Sequence, residues 1–181
     1  MLYNARQSYT PALELPEFND RSLIIDTETV GAGATVEIVE IALGDCTGGI
    51  VYHSTVRPVF NRLPRSTKGG RFGHAEFEAA PYWDEVWEAV APLIEKKLLI
   101  AYNAAFDRRA LSAMRARHRQ ASAERGWRCA MQLVKRAVGT KKNLTLSEAC
   151  ALYGLEGGNH RADVDVLATC RLLRKLLAPA V

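Results

Sequence analysis

The stretch that most constrains this chain is Ser22 to Gly31, read S-L-I-I-D-T-E-T-V-G. An apolar run, Leu23-Ile24-Ile25, leads straight into two carboxylates, Asp26 and Glu28. On a strand, side chains two residues apart point to the same face, so these two acids share one. Two anions that close repel each other unless positive charge lies between them. A divalent cation held through oxygen ligands meets that need. A strand ending in this way therefore sets a search for further ligands along the chain.

The length of 181 residues suits one domain with a real core. No apolar run approaches the ~20 residues of a membrane-spanning helix, so no membrane partner is expected. Residues 1–20 contain Pro11, Glu14, Pro16 and Glu17 rather than a signal-peptide pattern. They read as an extended or disordered arm ahead of a single domain over residues 21–181, and a cytoplasmic location is the expectation. Cys46, Cys129, Cys150 and Cys170 form no C-x-x-C pair. They read as reduced, mostly buried thiols rather than disulfides or zinc ligands.

The net charge of +4 is modest, but its distribution is uneven. Between Asp45 and Glu76 there is no acid, while Arg57, Arg62, Arg65, Lys68 and Arg71 all fall there. Arg108, Arg109, Arg115, Arg117 and Arg119 form a second group, and Lys135, Arg136, Lys141 and Lys142 a third. Single clusters of this kind are commonly solvated faces. Three of them around a candidate metal site favour a polyanion such as nucleic acid.

Taken in order, Leu23 to Glu28 reads as a first strand, Val36 to Leu43 as a second and Ile50 to Val56 as a third. Gly31-Ala32-Gly33 and Gly48-Gly49 supply the turns of an antiparallel meander. Phe60 to His74 is a basic loop with interleaved aromatics. Pro81 to Lys97 reads as a helix, because Trp83, Val86, Trp87, Val90 and Ile94 recur at helical spacing. Leu98 to Tyr102 is a short central strand. Asn103 is placed to cap a helix over Ala104 to His118, with Asp107 in its first turn. Trp127 to Met131 suggests a strand and Gln132 to Val138 a helix. Thr145 and Glu148 form a capping-box pattern for a helix through Tyr153. The last helix runs to about Leu177. His160 and Asp165 converge only if His160 lies in the loop before that helix, since five residues turn about 140°. Gly157 and Gly158 favour that placement. Asp165, with Ala168 and Leu172 on its side, is expected to face inward, leaving Asp163 as a helix-start acid.

Three ordered motifs come out of this pass: Asp26-Thr27-Glu28, Asn103-Ala104-Ala105-Phe106-Asp107 and His160-Arg161-Ala162-Asp163-Val164-Asp165. Together they resemble the D-x-E, N-x-x-F-D and H-x4-D signatures of the DEDDh exonucleases, the DnaQ-like family of the ribonuclease-H-like superfamily. The resemblance spans residues 22 to 177. Tyr102 stands where members of that family often carry His before the Asn, and Val30 stands in place of a common Thr.

The resemblance implies an α/β fold with a five-stranded mixed sheet in order 3-2-1-4-5 flanked by helices. It implies a 3′–5′ exonuclease using two Mg²⁺ or Mn²⁺ ions, with Asp26, Glu28, Asp107 and Asp165 as metal ligands and His160 as general base. It also places Thr27, Thr29, Val30, His74, Asn103 and Phe106 around the substrate. The implied partner is single-stranded or 3′-ended nucleic acid, DNA favoured, and several members of the family are homodimers. The same chemistry on RNA stays open, because sugar choice rests on contacts to the 2′ position. A catalytically silent nucleic-acid-binding module is the reading from another class, and the presence of all five residues argues against it.

Overall fold

Leu23 and Ile25 alternate with Ile24, and the sheet built on this strand is covered on both faces. The structure, a computed structural model, describes residues 15–61 and 74–178. Its elements are β1 Ser22–Val30, β2 Glu37–Gly44, β3 Ile50–Thr55, α1 His74–Glu78, α2 Trp83–Ile94, β4 Leu98–Ala101, α3 Ala104–His118, β5 Gly126–Cys129, α4 Ala130–Val138, α5 Leu146–Leu152 and α6 Ala162–Leu177. The five strands form one sheet in order β3-β2-β1-β4-β5. β1, β2 and β3 make the expected antiparallel meander, and β4 and β5 run parallel to β1.

The period of two decides which helix covers which face. Leu23, Ile25 and Leu99 pack among Trp83, Val90, Leu111 and Met114 from α2 and α3. Ile24 packs with Val166 and Cys170 of α6, and Leu98 and Ile100 with Val134, Leu172 and Leu173 of α4 and α6. By the same alternation, Asp26 and Glu28 emerge on the α6 face and Thr27 on the α3 face. Leu15 and Phe18, within the expected arm of residues 1–20, pack on the α4–α6 cluster; residues 1–14 lie outside the described residues.

Several boundaries differ from the sequence expectation. β1 continues to Val30, because β2 pairs with it as far as Val30 opposite Glu37, after a register shift between Glu28 and Thr29. α2 starts at Trp83 rather than Pro81. The Pro81 carbonyl accepts from the Arg57 amide (2.9 Å), and Glu85 caps the Tyr82 amide (3.0 Å). The β2–β3 turn uses Gly48 at φ +101°, and it is organised by Asp45. One Asp45 oxygen accepts from the amides of Thr47 (2.8 Å), Gly48 (2.9 Å) and Gly49 (2.9 Å). Arg115 departs from the surface cluster assigned to it: it is buried and paired with Glu124, whose carboxyl that pairing holds down at about 2 against the cost of burial. The basic loop from residue 62 to 73 lies outside the described residues. Among the described residues the cysteines are all free thiols, and no helix is long and apolar enough to cross a membrane.

Leu99 is completely buried at the centre of this arrangement. Leu99→Ala should lower the unfolding free energy by about 2–5 kcal/mol, read from urea denaturation. A loss below about 0.5 kcal/mol would contradict the placement of β4 between two packed layers.

Candidate active site

The side chains singled out in the sequence meet around the carboxyl half of β1 and just past the carboxyl end of the parallel strand β4, the end of an open α/β sheet where ligands bind. Asp26, Glu28, Asp107, His160 and Asp165 all line one cavity of about 470 Å³. Asp107 comes from the first turn of α3. It is held across to β1, where one of its oxygens accepts from the Thr27 amide (3.0 Å) and the Thr27 hydroxyl (2.9 Å). Asp165 comes from the first turn of α6 and faces inward, as its apolar neighbours suggested. One of its oxygens accepts from the amides of Asn159 (2.9 Å) and His160 (3.2 Å). Gly158 lies so close to this carboxylate that any Cβ there would collide with it, so the glycine is needed for the loop to reach its anion. His160 sits in the loop before α6, exposed, with a left-handed backbone (φ +63°). Ligand atoms of Glu28, His160 and Asp165 lie within 4.8 Å of one another.

Burial and mutual repulsion dominate the electrostatics of the site. Burial, and then the nearby Asp107, Asp165 and Glu28, push the Asp26 carboxyl well above the usual carboxylate range. Burial raises Asp107 from 3.8 to about 7, against the Thr27 hydrogen bonds that lower it. Burial also raises Asp165, opposed by the two backbone amides. Among the described residues, no lysine or arginine forms an ion pair with Asp26, Asp107 or Asp165. Converging carboxylates of this kind fit hard divalent cations bound through oxygen.

The expected substrate residues divide. Thr27, Asn103 and Phe106 line the same cavity. Thr29 lines a second one, of about 380 Å³, together with Gly31, Arg109 and Phe106, so Phe106 is shared by both. Val30 ends β1 and lines neither cavity. His74 opens α1, and its side chain lies outside the described residues. Asn103 occupies the N-cap position of α3, but its side chain makes no capping hydrogen bond and contributes to the cavity wall instead.

Two residues carry more than their sequence context suggested. Tyr102 is buried, and its hydroxyl reaches the carbonyls of Leu144 (2.8 Å) and Thr145 (3.0 Å). It thereby fixes the segment that forms another part of the cavity wall. Glu40 is completely buried in β2. It accepts from Arg161 Nε (2.8 Å) and from the Ala162 amide (3.0 Å), which ties the start of α6 to the sheet. The available signal was a lone acid inside the apolar run Val39-Glu40-Ile41; a charge there must find a partner.

The pH dependence follows from Asp107. Its folded pKa of about 7 exceeds the ordinary 3.8, so its contribution to stability is complete below about pH 4 and is lost as pH rises through about 7. In metal-free protein, the melting-temperature advantage of Asp107→Asn over wild type should therefore grow between pH 4 and 7 and then level off. A difference that stays constant across that window would contradict the burial of an ionisable acid at this position.

Comparison with known proteins agrees with this geometry. The RNase T family model, described as exonuclease, matches residues 23–173. An uncharacterized exonuclease of Escherichia phage 186, CP81, is 36% identical over 90 residues, which is 50% of this chain and 46% of that protein. The match thus spans about half of that relative's length. Exonuclease X, solved in complex with 5′ overhanging duplex DNA, superposes with a TM-score of 0.63 at 28% identity, over 86% of this chain and 90% of its own. The nuclease domain of 3′hExo, a DEDDh family member bound to rAMP, shares the fold with a TM-score of 0.68 at 16% identity, over 86% of this chain and 92% of its own. A match that runs from β1, which carries Asp26, into α6, which carries Asp165, assigns the chain to the RNase T exonuclease family, with a ribonuclease-H-like fold.

Proposed function

We propose that this protein is a 3′–5′ exonuclease that removes nucleotides from the 3′ end of DNA with two Mg²⁺ or Mn²⁺ ions bound. The observation that carries the proposal is the convergence of four carboxylates on one cavity, with an exposed histidine beside them. Asp26, Glu28, Asp107 and Asp165 would hold the ions. When bound, the ions supply positive charge to the attacking and leaving oxygens of the phosphodiester.

The residues of the chain do the rest. His160 takes a proton from the attacking water on an imidazole nitrogen. Asn159 and His160 keep Asp165 oriented through their amides, and Thr27 does the same for Asp107. Phe106, 40% exposed at the junction of the two cavities, offers a face on which a base can stack. Thr29 and Asn103 would supply polar contacts beside it, and Glu28 would approach the terminal 3′ hydroxyl.

DNA is preferred over RNA because the likeness at 28% identity is to an enzyme solved with DNA. The likenesses to the histone mRNA exonuclease and to the rAMP-bound domain are at 16% and speak to the fold alone.

Incubation of 5′-labelled single-stranded DNA with the protein and Mg²⁺ should give a descending ladder that shortens from the 3′ end. Asp26→Asn should slow it by on the order of 10³-fold, and His160→Ala by about 10²–10⁴-fold with little change in DNA affinity. Internal cleavage, equal rates in chelator, or an unimpaired Asp26→Asn would contradict the proposal. A parallel ladder on RNA of the same sequence decides the sugar preference, and faster RNA trimming would reverse it.

A further inference from the structure

His160 is the one cavity residue in a backbone conformation that L side chains rarely adopt, at φ +63°. Such a conformation persists where the surroundings over-determine it. On its N-terminal side the restraint is visible: the amides of Asn159 and His160 both donate to Asp165. On its C-terminal side the next residue is Arg161, whose side chain bridges two other elements. Its Nε donates to Glu40 on β2 (2.8 Å), and its Nη2 donates to Glu76 on α1 (3.0 Å). Glu40 also takes the Ala162 amide (3.0 Å), so side chain and backbone of consecutive residues end on one buried carboxylate.

Glu40 and Asp163 also converge with His53, and their ligand atoms lie within 4.8 Å of one another. That grouping has the outline of a cation site, but the Arg161 guanidinium already supplies the positive charge to Glu40, with His53 Nε2 2.8 Å away on the same oxygen. The cluster is therefore a socket for an arginine. A planar guanidinium can reach two carboxylates in fixed directions, whereas an ammonium acts as a single point charge.

We propose that Arg161 is a positioning residue for catalysis: held between Glu40 and Glu76, it fixes the backbone that aims His160 at the cavity. The inference rests on the reading of His160 as the group that takes the proton from water. Arg161 need not touch substrate or ions for this role. Its loss lets the 159–162 loop relax, and a misplacement on the order of 1 Å can cost about 10²-fold in rate.

The test uses Arg161→Gln, Arg161→Lys and Glu76→Gln in the full chain, with two readouts. One is kcat and KM for release of nucleotides from 5′-labelled single-stranded DNA with Mg²⁺. The other is amide hydrogen exchange over residues 159–162 in metal-free protein. Arg161→Gln should lower kcat about 10²-fold while KM changes by less than about 3-fold, and should speed exchange at the His160 and Ala162 amides. Arg161→Lys keeps a charge on Glu40 but gives up Glu76, so it should recover part of kcat and resemble Glu76→Gln. Glu76 is partly exposed, so Glu76→Gln decides by the same readouts if Arg161→Gln does not fold. Unchanged kcat and exchange in the variants, with an active wild type, would overturn the role of Arg161 alone. A wild type that releases no nucleotide would overturn the reading of the site, and this role with it.

Discussion

Repulsion among converging carboxylates, Asp107 and Asp165 of them buried, is the interaction on which the rest of this structure depends. Asp26, Glu28, Asp107 and Asp165 line one cavity, and burial together with mutual repulsion raises Asp26 far above an ordinary carboxyl. An arrangement of this kind is unfavourable in the protein alone and becomes favourable with cations between the oxygens. The surrounding fold supplies the holding forces. Thr27 pins Asp107 from β1, and the loop before α6 pins Asp165 with two amides. Both helices that deliver these acids are anchored by apolar faces on opposite sides of the same sheet. The site is thus clamped between two packed layers, and the alternation of β1 turns both of its acids toward α6 and Thr27 toward α3.

The local features of this design were legible in the sequence. The spacing of Asp26 and Glu28 specified one face, and the structure brings both to the cavity. The limits of α3 fall at the expected Ala104 and His118, because Asn103 breaks the strand and the helical pattern is uninterrupted. His160 was placed before α6 by the glycines at 157 and 158, and the inward choice of Asp165 over Asp163 followed from Ala168 and Leu172. Both placements depend only on helical periodicity and on where glycine permits a close approach.

The long-range pairings were not legible. Nothing local to Glu40 says that its partner is Arg161, 121 positions away, and nothing local to Tyr102 says that its hydroxyl meets the carbonyls of Leu144 and Thr145. Arg115 sits among arginines that a solvated face would carry, yet it lies on the buried side of α3 and pairs with Glu124. Its position four residues after Leu111 puts it on the packed stripe. Asn103 shows the reverse: its position at the cap was right, while its side chain serves the cavity wall. In each case tertiary packing, rather than propensity, chose the partner.

The central claim is that the carboxylate cluster exists to hold cations, and the most direct measurement is a calorimetric titration of metal-free protein with Mn²⁺ above pH 7. The account predicts saturable binding that approaches two ions per chain and is lost in Asp26→Asn, with the fold intact by circular dichroism. No saturable binding by the wild type, or binding left unchanged in Asp26→Asn, would contradict it.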